Sequence, residues 1–196
     1  MRILNLPNQI TLARLGLSAA TFVLLALAGR DRVELQGRLG WICFVLFVLS
    51  SATDWLDGYL ARRMNLVTPF GRIMDPFVDK VSVCGTFVFL TVLDPVATPA
   101  WIVVTIIGRE FFVQSIRSYL ESRGVAFAAE LPGKVKFVVQ CCAIGAVLFG
   151  HALGNAAPTW WDWFVRILLW LALLSTIHSG WFYMRKALAH LNAAEN

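Results

Sequence analysis

Six runs of about twenty mostly apolar residues divide this chain, near Ile10–Gly29, Leu39–Leu60, Ile73–Leu93, Ala100–Leu120, Gly133–Gly150 and Trp160–Met184. A hydrocarbon core roughly 30 Å thick takes about 20 helical residues to cross. Lipid offers no hydrogen bonds to an exposed backbone, so each run is expected as a helix and not as an open strand. The pattern predicts an all-α integral membrane protein with six transmembrane helices. Composition agrees, because the 196 residues are 58% hydrophobic and only 15% charged, where a soluble domain carries about a quarter charged residues.

The first run does not read as a cleaved signal peptide. It contains Arg14, exceeds a usual signal core, and lacks a small-x-small site followed by a soluble domain. No linker, low-complexity run or internal repeat interrupts the chain, so residues 1–196 are expected to form one domain. Turn signals fall between the runs: Asp94-Pro95 and Thr98-Pro99 after the third, Leu131-Pro132-Gly133 before the fifth, Ala157-Pro158 before the sixth. Asn8 is placed to cap the first helix. Ile3, Leu4 and Leu6 beside Arg2 suit a short interfacial helix ahead of it.

The formal charge of +5 is small, and its distribution says more than its size. With the N-terminus inside, one side collects Arg2, Arg62, Arg63, Arg72, Arg117, Arg123, Lys134, Lys136, Arg185 and Lys186. The other side holds Arg30, Arg32 and Arg38, and its remaining loops hold no Lys or Arg. The positive-inside rule puts both termini in the cytoplasm, at the cell (inner) membrane. The four cysteines, Cys43, Cys84, Cys141 and Cys142, lie in apolar runs without CxxC pairing, and are expected as buried small hydrophobes. His151, His178 and His190 are scattered and suggest no metal site. Several of the eight tryptophans sit at run ends, as in an interfacial belt.

Against this apolar background, residues 51–80 hold four aspartates. Asp54 and Asp57 are three apart at the end of the second run, and Asp75 and Asp79 are four apart at the start of the third. Either spacing puts both carboxylates of a pair on one helix face. The loop between the runs is short, so the two helix ends are antiparallel neighbours and all four groups can converge at the cytoplasmic ends of helices 2 and 3. Unpaired at the membrane centre, they would cost on the order of 10 kcal/mol together. A salt-bridge network with Arg62, Arg63, Arg72 and Lys80 is one way to offset that. A hard divalent cation such as Mg²⁺, Mn²⁺ or Ca²⁺ is the better fit to an all-carboxylate set. Zinc is disfavoured, since no His or Cys lies beside the aspartates. Gly58 and Gly71 would let a phosphorylated ligand approach the backbone, although Gly58 alone reads more readily as helix packing. With Arg62 nearby, the cluster suits a metal-bridged phosphate substrate.

The run Asp54-x-x-Asp57-Gly58-x-x-Ala61-Arg62, eight residues, Gly71-x-x-x-Asp75-x-x-x-Asp79 resembles the signature of the CDP-alcohol phosphotransferases at every defining position. The resemblance extends over nearly the whole chain, since that family also places the motif on the second and third of six membrane helices. It implies transfer of a phosphoalcohol or phosphatidyl group from a CDP-linked donor to an alcohol, with release of CMP. By position, Asp54, Asp57, Asp75 and Asp79 would ligate two divalent cations, Mg²⁺ or Mn²⁺, and Asp79 would also serve as the base. Gly58, Ala61 and Gly71 would line the cytidine pocket, and Arg62 would hold the donor diphosphate. The chemistry is apt, because an Arg fork suits phosphate oxygens and a carboxylate beside an activated hydroxyl suits base work. A homodimer in the lipid bilayer is implied in the same way, and no nucleic-acid partner.

The acceptor has to be read elsewhere. Arg109 and Glu110 lie inside the fourth run, and Arg117 follows eight residues after Arg109, on nearly the same helix face. Lys134 and Lys136 stand at the start of the fifth run. These cations suit an acceptor that carries its own phosphate; the competing reading is that Arg117, Arg123 and the lysines anchor helix ends at anionic headgroups. The stretches "NLPNQITLARL", "GRE" followed by Arg117, and "GKVK" resemble the phosphatidylglycerophosphate synthase branch. That branch implies CDP-diacylglycerol as donor and sn-glycerol 3-phosphate as acceptor. Inositol phosphate or serine as acceptor is the nearest alternative. A divalent-cation transporter is the alternative of another class; its polar groups should spread across membrane depth, whereas these carboxylates keep to one side.

Overall fold

The computed structural model describes residues 6–28, 35–64, 69–125 and 130–195; within them, side chains are described except at 6–7, 35–36, 54–64, 69, 72 and 191–195. The described residues form six long α-helices: α1 (Leu6–Ala28), α2 (Gly40–Met64), α3 (Pro69–Leu93), α4 (Ala100–Ser122), α5 (Leu131–Leu153) and α6 (Trp161–Glu195). No strand occurs among the described residues. Four of the helices, α1, α3, α5 and α6, are long and apolar enough to cross a membrane, and α2 contributes a shorter apolar run, Gly37–Thr53. The chain is an all-helical integral membrane protein.

Local chemistry explains where the helices begin and end. Proline is tolerated in a first helical turn, where its missing N–H has no partner to lose. Pro7 and Pro132 occupy that position in α1 and α5. Helix α1 therefore starts at Leu6, before Asn8, which is buried inside the helix and does not cap it. The interfacial segment expected ahead of it falls largely on residues 1–5, outside the described residues. Helix α4 ends in a Schellman arrangement: Gly124, at φ 77°, donates to the Glu121 carbonyl, and the Val125 N–H reaches the Leu120 carbonyl at 3.0 Å. Asp94 closes the α3–α4 turn by accepting the Ala97 N–H at 2.9 Å.

The helices form a closed ring in the order α1, α2, α5, α6, α4, α3, with α3 and α5 also touching across its middle. The interior is a shared apolar core that includes Leu25, Phe87, Ile106, Ile144, Leu148 and Leu169. Close approaches need small residues. At Gly85 an added Cβ would lie 2.4 Å from the Phe22 ring, which lets α1 and α3 pack tightly. Large apolar side chains such as Val23, Val88, Val92, Val104, Val138 and Ile167 point outward. In water such a surface would be a liability; in hydrocarbon it is the required solvent-facing surface.

The two ends of the ring differ. One end gathers aromatic rings: Trp41, Phe44, Phe149, Trp161 and Phe164 meet edge-on or tilted, with neighbouring centroids 5.1–6.0 Å apart. Trp161 Nε1 also donates to the Ala146 carbonyl at 3.1 Å. The other end holds the start of α1, α3 and α5, the end of α2, α4 and α6, and nearly all the polar side chains described below. The cysteines depart in part from expectation: Cys43 is buried, Cys84 and Cys141 are half-buried, and Cys142 is exposed on the outward face of α5.

Candidate active site

Helices α1 and α3 run parallel and meet through three polar rungs. Thr11 Oγ1 donates to Asp75 Oδ1 at 2.7 Å, Arg14 Nη2 donates to Asp79 Oδ1 at 2.5 Å, and Ser18 and Ser82 share a hydrogen bond of 2.5 Å. Steps of three and four on α1 match steps of four and three on α3, so each stripe stays on one helix face. Arg14 is 2% exposed and its Nε also reaches the Ser50 carbonyl of α2 at 3.3 Å. A buried guanidinium at this depth needs such partners. Of the four cations that a salt-bridge network would have used, only the Lys80 side chain lies among the described residues, and it does not pair with an aspartate there. Asp79 is paired by Arg14, while Lys80 reaches away to Gln114 Oε1 at 2.5 Å.

Asp54, Asp57, Gly58, Ala61 and Arg62 lie on the last turns of α2, and their side chains are outside the described residues. Gly71 is buried in the first turn of α3. The other candidates converge. A cavity of about 340 Å³ between α3, α4, α5 and α6 is lined by Asp75, Asp79, Arg109, Arg117, Lys134 and Lys136. Lys80, Cys84, Glu110, Gln114, Gln140 and Tyr183 are also part of its wall.

On the far side from the aspartates, Glu110 acts as a bracket. Its Oε1 takes Arg109 Nη1 at 3.0 Å and also pairs closely with Lys136 Nζ, joining α4 to α5. Lys136 is 5% exposed. The Arg109 side chain is 10% exposed, yet its buried Nε and Nη2 have no hydrogen-bond partner among the described residues, and neither does the buried Arg117 Nε. Buried donors left unpaired are costly, so these mark a place where an anion is welcome. The Tyr183 ring lies under Arg109, 5.5 Å from Cζ to the ring centroid. Gln140 donates to Thr176 Oγ1 at 2.9 Å, tying α5 to α6 beside the cavity. Arg123, expected as an anchor, stands outside this group, with its Cζ 5.2 Å from the centroid of the Tyr119 ring.

The donor chemistry fits a hard divalent cation. Asp75 and Asp79 offer carboxylate oxygens to the cavity from one helix face, which is the ligand type such ions take. No group of three or more His, Cys, Asp or Glu poised for a metal occurs among the described residues, and the other two aspartates of the quartet lie outside them.

A family model described as CDP-alcohol phosphatidyltransferase matches residues 4–178. The chain belongs to the CDP-alcohol phosphatidyltransferase family and is a transferase. It is 39% identical over 188 residues to a CDP-diacylglycerol–glycerol-3-phosphate 3-phosphatidyltransferase of Bacillus subtilis, covering 93% of this chain and 94% of the relative. A Rickettsia bellii protein of the same description is 34% identical, covering 92% and 94%. A probable phosphatidylglycerophosphate synthase of Mycobacterium tuberculosis is 32% identical, covering 95% and 83%. Members of the family generally work with divalent cations.

Sequence reasoning overlooked Arg14 and Tyr183 and gave Glu110 no role of its own. Arg14 left a signal, a charge inside an apolar run flanked by Thr11 and Ser18 at helical spacing. Tyr183 left none, because its role depends on which helices become neighbours.

Proposed function

We propose that this protein transfers a phosphatidyl group from CDP-diacylglycerol to sn-glycerol 3-phosphate, giving phosphatidylglycerophosphate and CMP. One observation carries the acceptor assignment. Arg109, Arg117, Lys134 and Lys136 line the same cavity as Asp75 and Asp79, and Arg109 presents buried donors that no described residue satisfies. An unphosphorylated alcohol would leave those donors unmet, whereas a phosphate monoester matches an Arg fork flanked by lysines. The names of the relatives point to the same pair of substrates.

On this reading Asp54, Asp57, Asp75 and Asp79 would hold two divalent cations, Mg²⁺ or Mn²⁺. Such ions supply charge neutralisation at the donor diphosphate. Arg62 grips the diphosphate, and Gly58, Ala61 and Gly71 give the cytidine room. Arg109, Arg117, Lys134 and Lys136 bind the acceptor phosphate and aim its 1-hydroxyl at the phosphorus that bears diacylglycerol. The hydroxyl oxygen attacks that phosphorus, its proton passes to Asp79, and the bond to the CMP oxygen breaks. Thr11 and Arg14 fix one oxygen of Asp75 and of Asp79 respectively, so both carboxylates keep their aim.

The cavity end of the ring carries Lys80, Arg109, Arg117, Arg123, Lys134, Lys136, Arg185 and Lys186, while Arg38 and Arg166 lie toward the aromatic end. The positive-inside rule therefore favours a cytoplasmic active site, with all six helices crossing the cell inner membrane and both termini inside. A single domain over residues 1–196 and a homodimer complete the proposal. Purified protein supplied with CDP-diacylglycerol, Mg²⁺ or Mn²⁺ and labelled glycerol 3-phosphate should release CMP and label lipid. Release with inositol phosphate or serine, but not with glycerol 3-phosphate, would sink the acceptor assignment.

A further inference from the structure

Tyr183 stands where three helices meet and belongs to none of the substrate-binding groups named above. It is 1% exposed, in the cytoplasm-proximal half of α6. Its ring underlies the Arg109 guanidinium of α4 at 5.5 Å. Its hydroxyl accepts the backbone N–H of Glu130, the residue that precedes α5, at 2.7 Å. One turn along α6, Lys186 pairs with the Glu130 carboxylate. Helix α6 thus holds both Arg109 and the junction from which Lys134 and Lys136 follow.

The surrounding glycines fit this arrangement. A Cβ at Gly133 would lie 2.9 Å from Tyr183 Oη, and a Cβ at Gly180 would lie 3.2 Å from Arg109 Cγ. Side chains at either place would push the tyrosine or the arginine out of register. Within the described residues, Arg109 has one hydrogen-bonding partner, Glu110 on Nη1, while Nε and Nη2 have none. A single anchor leaves a long side chain free to pivot. The aromatic face beneath it removes that freedom, through a cation–π contact that is strongest when desolvated.

We infer that Tyr183 is the positioning residue of the acceptor-phosphate site. It sets the plane of the Arg109 guanidinium and the start of α5 together, and so sets the preference for a phosphorylated acceptor. The inference rests on the acceptor reading above. Tyr183 touches neither reacting atoms nor donor, so its loss acts on acceptor affinity and leaves the chemical step alone.

Steady-state CMP release by the full-length protein tests this with two variants. Tyr183→Leu removes ring and hydroxyl and is expected to raise KM for glycerol 3-phosphate about tenfold or more. Its kcat and its KM for CDP-diacylglycerol should stay within about twofold, as expected for lost uniform binding. Tyr183→Phe keeps the ring and removes the hydroxyl that holds Glu130, so it recovers most of the affinity, with KM raised about threefold. Unchanged KM for glycerol 3-phosphate in both variants would overturn the role of Tyr183. A parallel fall in kcat and rise in both KM values would overturn it too, by exposing a merely structural role. If Tyr183→Leu does not fold, Tyr183→Phe decides alone, and an unchanged KM in it counts against the inference. A wild-type protein active only with unphosphorylated alcohols would remove the acceptor reading and this inference together. Active wild type with unaffected variants would remove only the second.

Discussion

The two walls of the cavity are built in opposite ways. Asp75 and Asp79 come from one helix, four residues apart, and a parallel neighbour holds them through Thr11 and Arg14. The facing cations come from α4 and α5, and are held by Glu110 and by Tyr183 of α6. Spacing along one helix is set by the helix itself and survives small shifts in packing. Spacing between helices changes with every shift. On the proposed reading the reaction rests on the first wall and acceptor choice on the second, so chemistry is insulated from changes that could retune selectivity.

Three substitutions would break or sharpen that contrast. The largest effect is expected at Asp79→Asn, with kcat down about a thousandfold and KM for glycerol 3-phosphate nearly unchanged. Near-normal turnover by this variant would move the base elsewhere. Arg109→Ala comes next. It should raise KM for glycerol 3-phosphate about thirtyfold, in line with losing hydrogen bonds to a charged group, while KM for CDP-diacylglycerol holds. Equal rises in both constants would show that the cation wall does not separate donor from acceptor. Arg14→Ala is expected to lower kcat about tenfold by letting the Asp79 carboxylate turn, with substantial recovery in Arg14→Lys. Were the loss to appear in KM for glycerol 3-phosphate instead, α1 would belong functionally with the opposite wall.

What could be read from sequence was what is local. The paired aspartate spacings and the Asp94 turn depend on residues a few positions apart, and both are present as helix or turn features, whereas Leu131-Pro132-Gly133, read as a turn, forms the first turn of α5. The shared face of Arg109 and Arg117 likewise survives, since both line the cavity. Asn8 was misplaced because Pro7 is accommodated in the first turn, moving the helix start to Leu6. The partner of Asp79 was missed because it lies 65 positions away on a helix adjacent only once the ring closes. Tyr183 reaches across 53 positions to Glu130 for the same reason. Periodicity tells which face of a helix is special, but not which helix that face will meet.

The buried nitrogens of Arg109 and Arg117 that find no partner among the described residues also bear on how stable the protein is. Each buried donor without a partner costs about 1–3 kcal/mol, a burden carried by the substrate-free state alone. A bound anion that satisfies them adds its binding free energy to that of folding, and the gain grows with ligand concentration. On the proposed reading the protein is most robust with its acceptor bound, and glycerol 3-phosphate would also protect it from unfolding.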